Sequence, residues 1–278
     1  MREILQSFID RFFTEPPNRI SHESGPFFEP ALIGVAAATD PIWLDFKEVV
    51  GVFHLTPAEM VAHCCPDDSW QSRSVISWVL PISERTRETN RRQELWPCKE
   101  WVLTANRGND LLLQLKAHLA AFLTARGHRA VAPQPVTIRE PIDGVEVAVA
   151  STWSERHVAY AAGLGTFGLN GGLITSRGIA HRCGSLITDA VLAPSPRPSS
   201  DAYGYCLHRR EGTCGACIER CPSGALSTAG IDKAKCRHRI YGEAPPVLMA
   251  RYGLTADQCK TGSCGLCQTK VPCEAGIP

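Results

Sequence analysis

The chain has 278 residues, with 29 Lys plus Arg against 28 Asp plus Glu and a net charge of +1. That balance argues against a general nucleic-acid binder, which carries a basic surplus, and a composition of 44% hydrophobic and 21% charged residues excludes a disordered chain. The longest apolar runs, such as residues 32–38, are about seven residues long, far short of the ~20 that a membrane-spanning helix needs.

The residues Met1-Arg2-Glu3-Ile4-Leu5 carry no export signal and no twin arginine, so a cytoplasmic location is expected. Residues 2–13 predict an amphipathic helix, with Ile4, Leu5, Phe8, Ile9, Phe12 and Phe13 on one face and Pro16-Pro17 as its stop. Residues 32–38 and 75–80 predict buried strands, the second closed by Pro81. Residues 82–100 are polar and predict a loop. The clearest helix covers 110–126, capped by Asn109 or Asp110, striped by Leu112, Leu115, Leu119, Phe122 and Leu123, and ended by Gly127. Val145, Val147 and Val149 alternate with Glu146 and Ala148 as in a strand. A helix over 155–161 then runs into the glycine-rich segment 162–173, and 185–188 predict another strand. Pro194, Pro196 and Pro198 mark a hinge or surface linker. Strands alternating with helices over 30–190 imply an α/β layer fold.

The outlier is 13 cysteines, nine of them in the last 73 residues. A reducing cytosol disfavours disulfides, so such crowding points to metal. Those residues hold too few apolar side chains for an ordinary core, so their folding leans on what the cysteines bind. Cys214-Gly-Ala-Cys217-Ile-Glu-Arg-Cys221-Pro222 is most of the bacterial ferredoxin run, lacking its first cysteine, whose place is taken by Glu211. Cys264-Gly-Leu-Cys267 follows, with Cys273 six residues on and Cys236 between the two motifs. If Cys206 loops back to Cys214, eight ligands exist for two 4Fe–4S clusters. Ferredoxin-type crossing assigns Cys206, Cys214, Cys217 and Cys273 to one and Cys221, Cys236, Cys264 and Cys267 to the other. Cys259 competes with Cys206 or Cys236 for a place. Two C-x2-C pairs also suit a zinc ribbon, which needs neither the Cys-Pro nor the extra cysteines. Cys64, Cys65 and Cys98 read as ordinary thiols.

Gly163-x-Gly165-x-x-Gly168 matches a dinucleotide fingerprint, but a helix precedes it where a strand is required. Its glycines indicate backbone brought close to something, whether a ligand or tight turns.

Glu155-Arg156-x3-Ala161-Ala162-Gly163-Leu164-Gly165-x2-Gly168 resembles the segment before the clusters in epoxyqueuosine reductase, and more loosely in reductive dehalogenases. The resemblance implies a nitroreductase-like α/β cobalamin-binding domain (1–193) followed by a ferredoxin-like domain with two 4Fe–4S clusters (194–278). It implies a base-off corrinoid between them, with Gly163, Gly165, Gly168, Leu173, Cys183, Ser185 and Leu186 near it. It implies an external electron donor such as ferredoxin or flavodoxin. The family's proton-donating aspartate lies six residues before the Glu-Arg pair, where this chain has Val149. Leu169-Asn170-Gly171-Gly172 and Cys273-Glu274 are further departures. A small-molecule substrate, or a corrinoid protein to be reactivated, is therefore expected in place of tRNA. Tyr160 is the expected proton donor, with His157, Asp143 and Glu146 nearby, and Arg156 suits a carboxylate or phosphate.

Overall fold

A computed structural model describes residues 2–14, 18–19, 25–68, 70–142 and 145–278. The amphipathic start of the chain forms α1 (Arg2–Thr14), and the first apolar run forms β1 (Leu32–Ala37). Helices α2 (Ile42–Val49) and α3 (Pro57–Cys64) lead to β2 (Ser74–Pro81), buried along its whole length. α4 (Glu84–Arg91) and the long α5 (Lys99–Thr124) follow. Then come β3 (Ala130–Val131), the hairpin of β4 (Thr137–Ile142) and β5 (Val145–Ser151), and α6 (Glu155–Ala161). The glycine-rich segment is a second hairpin, β6 (Gly165–Phe167) and β7 (Leu173–Thr175), ahead of β8 (His181–Thr188). The cysteine-rich part contains α7 (Leu207–Glu211), α8 (Ala216–Glu219), the short hairpin β9 (Leu226–Ser227) and β10 (Gly230–Ile231), and α9 (Lys233–His238). A π-helical turn, Arg239–Glu243, joins α9 to α10 (Ala244–Tyr252).

The main sheet runs β1-β2-β8-β3, and every pairing in it is antiparallel. Side chains alternate across a strand, so this sheet buries two faces. Ile76, Trp78, Leu80 and Leu186 pack with Leu5, Ile9, Leu115 and Leu119 of α1 and α5. Val75, Val79 and Ile187 pack on the other side with Trp43, Phe46, Met60 and Val158 of α2, α3 and α6. The layered α/β arrangement expected from the sequence is present as a mixed fold around an antiparallel sheet.

Two expectations fail for physical reasons. Residues 82–100 are not a loop: they contain α4 and the start of α5. α4 escapes an apolar pattern because its buried face is polar, with Thr86, Arg87 and Asn90 all enclosed. Arg87 pairs with Glu29 at 3.0 Å, and Asn90 Oδ1 accepts from Cys98 N–H at 3.0 Å. α5 starts eleven residues before the predicted 110, capped by Cys98, whose Sγ accepts from Trp101 N–H at 3.4 Å. Gly108 belongs inside this helix because a Cβ there would meet Phe28 Cζ at 2.7 Å. The proline-rich linker also does not stand free as a hinge. Ser195 N–H donates to Val35 O at 2.8 Å and its hydroxyl accepts from Val35 N–H at 3.0 Å, which docks it on the edge of β1.

The cysteine-rich part shares the first part's core. Ala244, Leu248, Leu254 and Cys259 are buried in the same cluster as Trp101 and Leu111 of α5. The chain position near 193 therefore marks no break in packing. Among the described residues no helix is long and apolar enough to cross a membrane. Replacing Leu248, which is 0% exposed, by Ala is expected to cost about 2–5 kcal/mol. Denaturant unfolding followed by tryptophan fluorescence, which reports on the first part, and by thiol accessibility, which reports mainly on the second, should shift together, whereas a shift in thiol accessibility alone would mean that the two parts unfold separately.

Candidate functional site

The eight-residue gap before Cys214 closes through a helical turn. α7 begins right after Cys206 and ends at Gly212, whose φ of +70° sends the chain back. His208 Nδ1–H then donates to Cys214 O at 2.5 Å, fixing the return. As a result Cys206, Cys214, Cys217 and Cys273 line one cavity, together with Leu169, Ile174 and Ile179. Cys273 arrives from the far end of the chain because Ile179 N–H donates to its carbonyl at 2.9 Å. Burial pushes the thiol of Cys217 up to about 11 and that of Cys273 up to about 12; Cys214 and Cys206 raise Cys217 further, and Cys217, Cys206 and Cys214 raise Cys273 further.

A second set forms beside it. Cys264 and Cys267 are raised by burial and then by Cys236 and Cys221, and Cys267 also by Cys264 and by Cys217 of the first set, so the two sets are adjacent. Cys221 is the exception: burial opposes it, but the Ser223 hydroxyl and the N–H groups of Ala225, Ser223 and Leu226 hold it below the ordinary thiol range. Cys259 stands apart, 2% exposed in the α5 core. Cys206, not Cys259, is therefore the cysteine at the first cavity. Among the described residues no group of three His, Cys, Asp or Glu is set to hold a single metal ion. A cubane asks for a wider set, since its four thiolates bind different irons.

The departures from the ferredoxin pattern have structural partners. Glu274, which stands where a proline was expected, is 4% exposed and takes both Arg91 Nε contacts at 2.8 and 2.9 Å and Lys270 N–H at 2.7 Å. Gly265, between the two cysteines of the second motif, has φ +61° and presses on Trp101, so that a Cβ would lie 2.0 Å from its ring. The Trp101 indole N–H is buried there with no partner among the described residues, a donor suited to a cluster sulfur. Asn170, from the altered glycine segment, donates to Cys267 O at 2.9 Å.

The residues expected near a corrinoid are spread over β6, β7 and β8. Gly163 (φ +74°) and Gly165 do come close to backbone, but that backbone is protein: Cβ atoms there would lie 2.4 Å from Pro196 O and 2.1 Å from Ile174 O. Gly168 abuts Asn170 and Ile179. Leu173, Ser185 and Leu186 are fully buried, and Ser185 Oγ accepts from the Trp153 indole at 3.0 Å. Cys183 differs from these. It is half-buried and its thiol donates to His181 Nδ1 at 3.4 Å, because His181 Nε2–H is committed to Leu173 O at 2.7 Å. Arg156 and Arg182 flank Cys183. Arg156 is exposed and Arg182 and Cys183 are half-buried, and the side chains of Arg182 and Cys183 leave β8 on opposite faces of the sheet.

Tyr160 lies elsewhere on α6. It packs on Phe167 at 5.6 Å, burial raises its phenol, and its charged neighbours are Arg197, Asp201 and Asp45. His157 is wedged between Phe46 and Phe167, its Nδ1 2.8 Å from Ser154 Oγ. Val149 is the extra residue of a β-bulge, since Ile138 faces Ala150 and Arg139 faces Ala148. Asp143 lies outside the described residues, as does the side chain of Glu146. Sequence reasoning missed His181 and Arg182; the available signal was a basic pair opening an otherwise apolar strand.

The fold is similar to solved structures with these parts. A selenomethionine-labelled epoxyqueuosine reductase aligns with 99% of this chain and 66% of its own, at 19% identity and a TM-score of 0.55. An epoxyqueuosine reductase from Bacillus subtilis aligns over 88% of this chain and 62% of its own (18% identity, TM-score 0.47). A reductive dehalogenase, whose structure suggests a mechanism for B12-dependent dehalogenation, aligns over 77% of this chain and 28% of its own (13% identity, TM-score 0.48). The chain thus spans less than two thirds of the length of these proteins. No family model and no curated protein matches the chain.

Two outcomes are expected. Gly265→Ala combines a strained φ with a collision on Trp101 and should destabilise the protein by about 1–3 kcal/mol; an unchanged denaturation midpoint would contradict this packing. Burial holds His157 down to about 3 and His54 and His181 down to about 4. The folded rings thus refuse protons that the unfolded chain takes up below its ordinary value of about 6.5. Stability is full above that value and falls as pH drops toward 4, by about 1 kcal/mol per ring at pH 5.5. Urea midpoints at pH 7.5 and 5.5 check this, and equal midpoints would refute it.

Proposed function

We propose that this chain is a corrinoid- and iron–sulfur-dependent reductase that acts on a small molecule. The observation that carries the reading is the partition of eight cysteines into two sets of four, one around a cavity and one beside it. Four crowded, buried thiols resist ionisation together, and cluster assembly, which replaces their protons with iron, resolves that cost. The donor set and the unpartnered Trp101 N–H fit two 4Fe–4S clusters, on Cys206, Cys214, Cys217 and Cys273 and on Cys221, Cys236, Cys264 and Cys267.

A corrinoid is proposed to sit beside the second set, near Cys183, the one half-buried side chain among the expected residues of β7 and β8. The clusters would supply single electrons, and the corrinoid would supply the reducing metal centre. Of the chain's own residues, Phe46, His157 and Phe167 pack against one another behind α6, and Arg156 would place charge beside the group. Electrons would come from a ferredoxin or flavodoxin. An epoxide-reducing reaction on tRNA is disfavoured by Val149 at the place of the family's acid and by the net charge of +1.

A second reading is an electron-transfer or corrinoid-reactivating protein with no substrate of its own. It is favoured by Val149 and by the position of Tyr160 among Arg197, Asp201 and Asp45.

Anaerobically purified protein should hold about eight irons and matching sulfide per chain. Added cobalamin should give a base-off cob(II)alamin EPR signal. Iron without a cobalamin response would select the second reading, and zinc in place of iron would sink both. Cys217→Ser should remove about half of the iron; an unchanged iron content would break the ligand scheme.

A further inference from the structure

Trp101 stands on the first turn of α5, fixed there by its own backbone N–H, which donates to Cys98 Sγ at 3.4 Å. Its side chain is buried. A Cβ added at Gly265 would lie 2.0 Å from Trp101 Cε2 and Cζ2 and 2.3 Å from Nε1. The N–H edge of the indole therefore faces the loop that runs from Cys264 to Cys267. That loop is pinned in place. Ser263 holds a φ of +29° while its hydroxyl accepts from Arg182 Nη2 at 2.8 Å, and Gly265 holds a φ of +61°. A positive φ at a residue other than glycine persists only where the surroundings over-determine it.

An indole carries a single N–H and no acceptor. Two indole N–H groups, those of Trp78 and Trp101, are enclosed without a partner among the described residues. Arg87, Arg182 and Arg239 also enclose an unpartnered Nε–H, but each bonds through another N–H of its guanidinium. An indole has no second donor. The two indoles differ in what they face. Trp78 lies against Gly184 in the middle of the sheet, where an added Cβ would be 2.7 Å from its Nε1. Trp101 lies against the middle of a cysteine motif. A buried donor without an acceptor costs free energy, and the sulfur of a cluster held by Cys264 and Cys267 is an acceptor for this edge. The first sulfur set is lined differently. Leu169, Ile174, Ile179 and Val271 are apolar, and Asn170 and His208 beside them already donate to Cys267 O and Cys214 O.

We propose that the Trp101 indole N–H donates to the cluster on Cys221, Cys236, Cys264 and Cys267 and raises its reduction potential. Reduction adds one electron and one negative charge, so a donated hydrogen bond stabilises the reduced state more than the oxidised state. The electron comes from the external donor, and Trp101 is neither oxidised nor deprotonated. The shift favours residence of that electron on the second set. The inference rests on the iron–sulfur part of the reading above, and on neither the corrinoid nor a substrate.

Trp101→Phe keeps an aromatic ring against Gly265 and removes the donor. Potentiometric titration of the anaerobically purified full chain, followed by EPR, should show the equilibrium constant for reduction of one cluster fall by about tenfold, or ~59 mV for one electron. Iron content and the other cluster's potential should not change. Trp78→Phe, which removes the other unpartnered indole N–H, should leave both potentials in place. An unshifted potential in Trp101→Phe, a shift of both clusters, or an equal shift in Trp78→Phe would overturn the proposal. Should Trp101→Phe fail to load iron, the wild-type protein answers. With tryptophan that carries a heavy-isotope indole nitrogen, pulsed EPR of the reduced protein should show a nitrogen coupling at one cluster, and its absence overturns the proposal. Wild-type protein that holds fewer than two clusters fails the ligand scheme and this proposal with it, whereas two intact clusters with an unmoved potential fail the assignment to Trp101 alone.

Discussion

Sulfur crowding is the constraint on which the second half of the molecule depends. Eight thiols are gathered into two adjacent sets, and Cys221 is the member whose surroundings favour the thiolate. Burial keeps most of these thiols protonated, and ionising them together requires positive charge from outside the protein. What the protein supplies is a frame that keeps the sulfurs in place. Glu274 clamps the Cys273 loop to α4 through Arg91. Asn170 ties the glycine-rich hairpin to the Cys267 carbonyl. Gly265 lets the Cys264–Cys267 loop lie flat on Trp101. Each tie crosses from the cysteine-rich part to the α/β part, so the two fold against one surface rather than as beads on a string.

β8 connects that frame to the proposed site. In its second half the strand's two-residue period sends Leu186 to the α5 core and Ile187 to the α6 core. In its first half the same alternation continues, but the side chains are His181, Arg182 and Cys183. His181 anchors the β7 carbonyl of Leu173, and Arg182 reaches across to Ser263, one residue before the second cysteine motif. One strand thus supplies the centre of the sheet and a tie to the second sulfur set. Displacing it would disturb both at once.

What the sequence made legible follows from how local each signal is. The partition of the cysteines could be read from two loops and one Cys-Pro, because cluster-binding loops are short and their geometry is set by neighbours in the chain. The choice between Cys206 and Cys259 could not, because it turns on α7 coiling back and on a His208 contact to a carbonyl six residues away. The glycines signalled close backbone approach correctly, yet whether a ligand or protein fills that space is a tertiary fact, and for Gly163 and Gly165 it is protein. α4 was invisible because its buried side is made of Thr86, Arg87 and Asn90, which are satisfied by partners as distant in sequence as Thr269 and Glu29.

The bulge at Val149 has a local structural consequence. A bulge forfeits ladder pairing and is retained where it re-aims a side chain or bends a strand. An aliphatic side chain has no proton to deliver, so re-aiming it brings no chemistry. The remaining service is the bend, and β5 does lie against α9 and the π-helical turn that follows it, the segment that carries Cys236. The register shift thereby bends β5 beside the helix that carries Cys236.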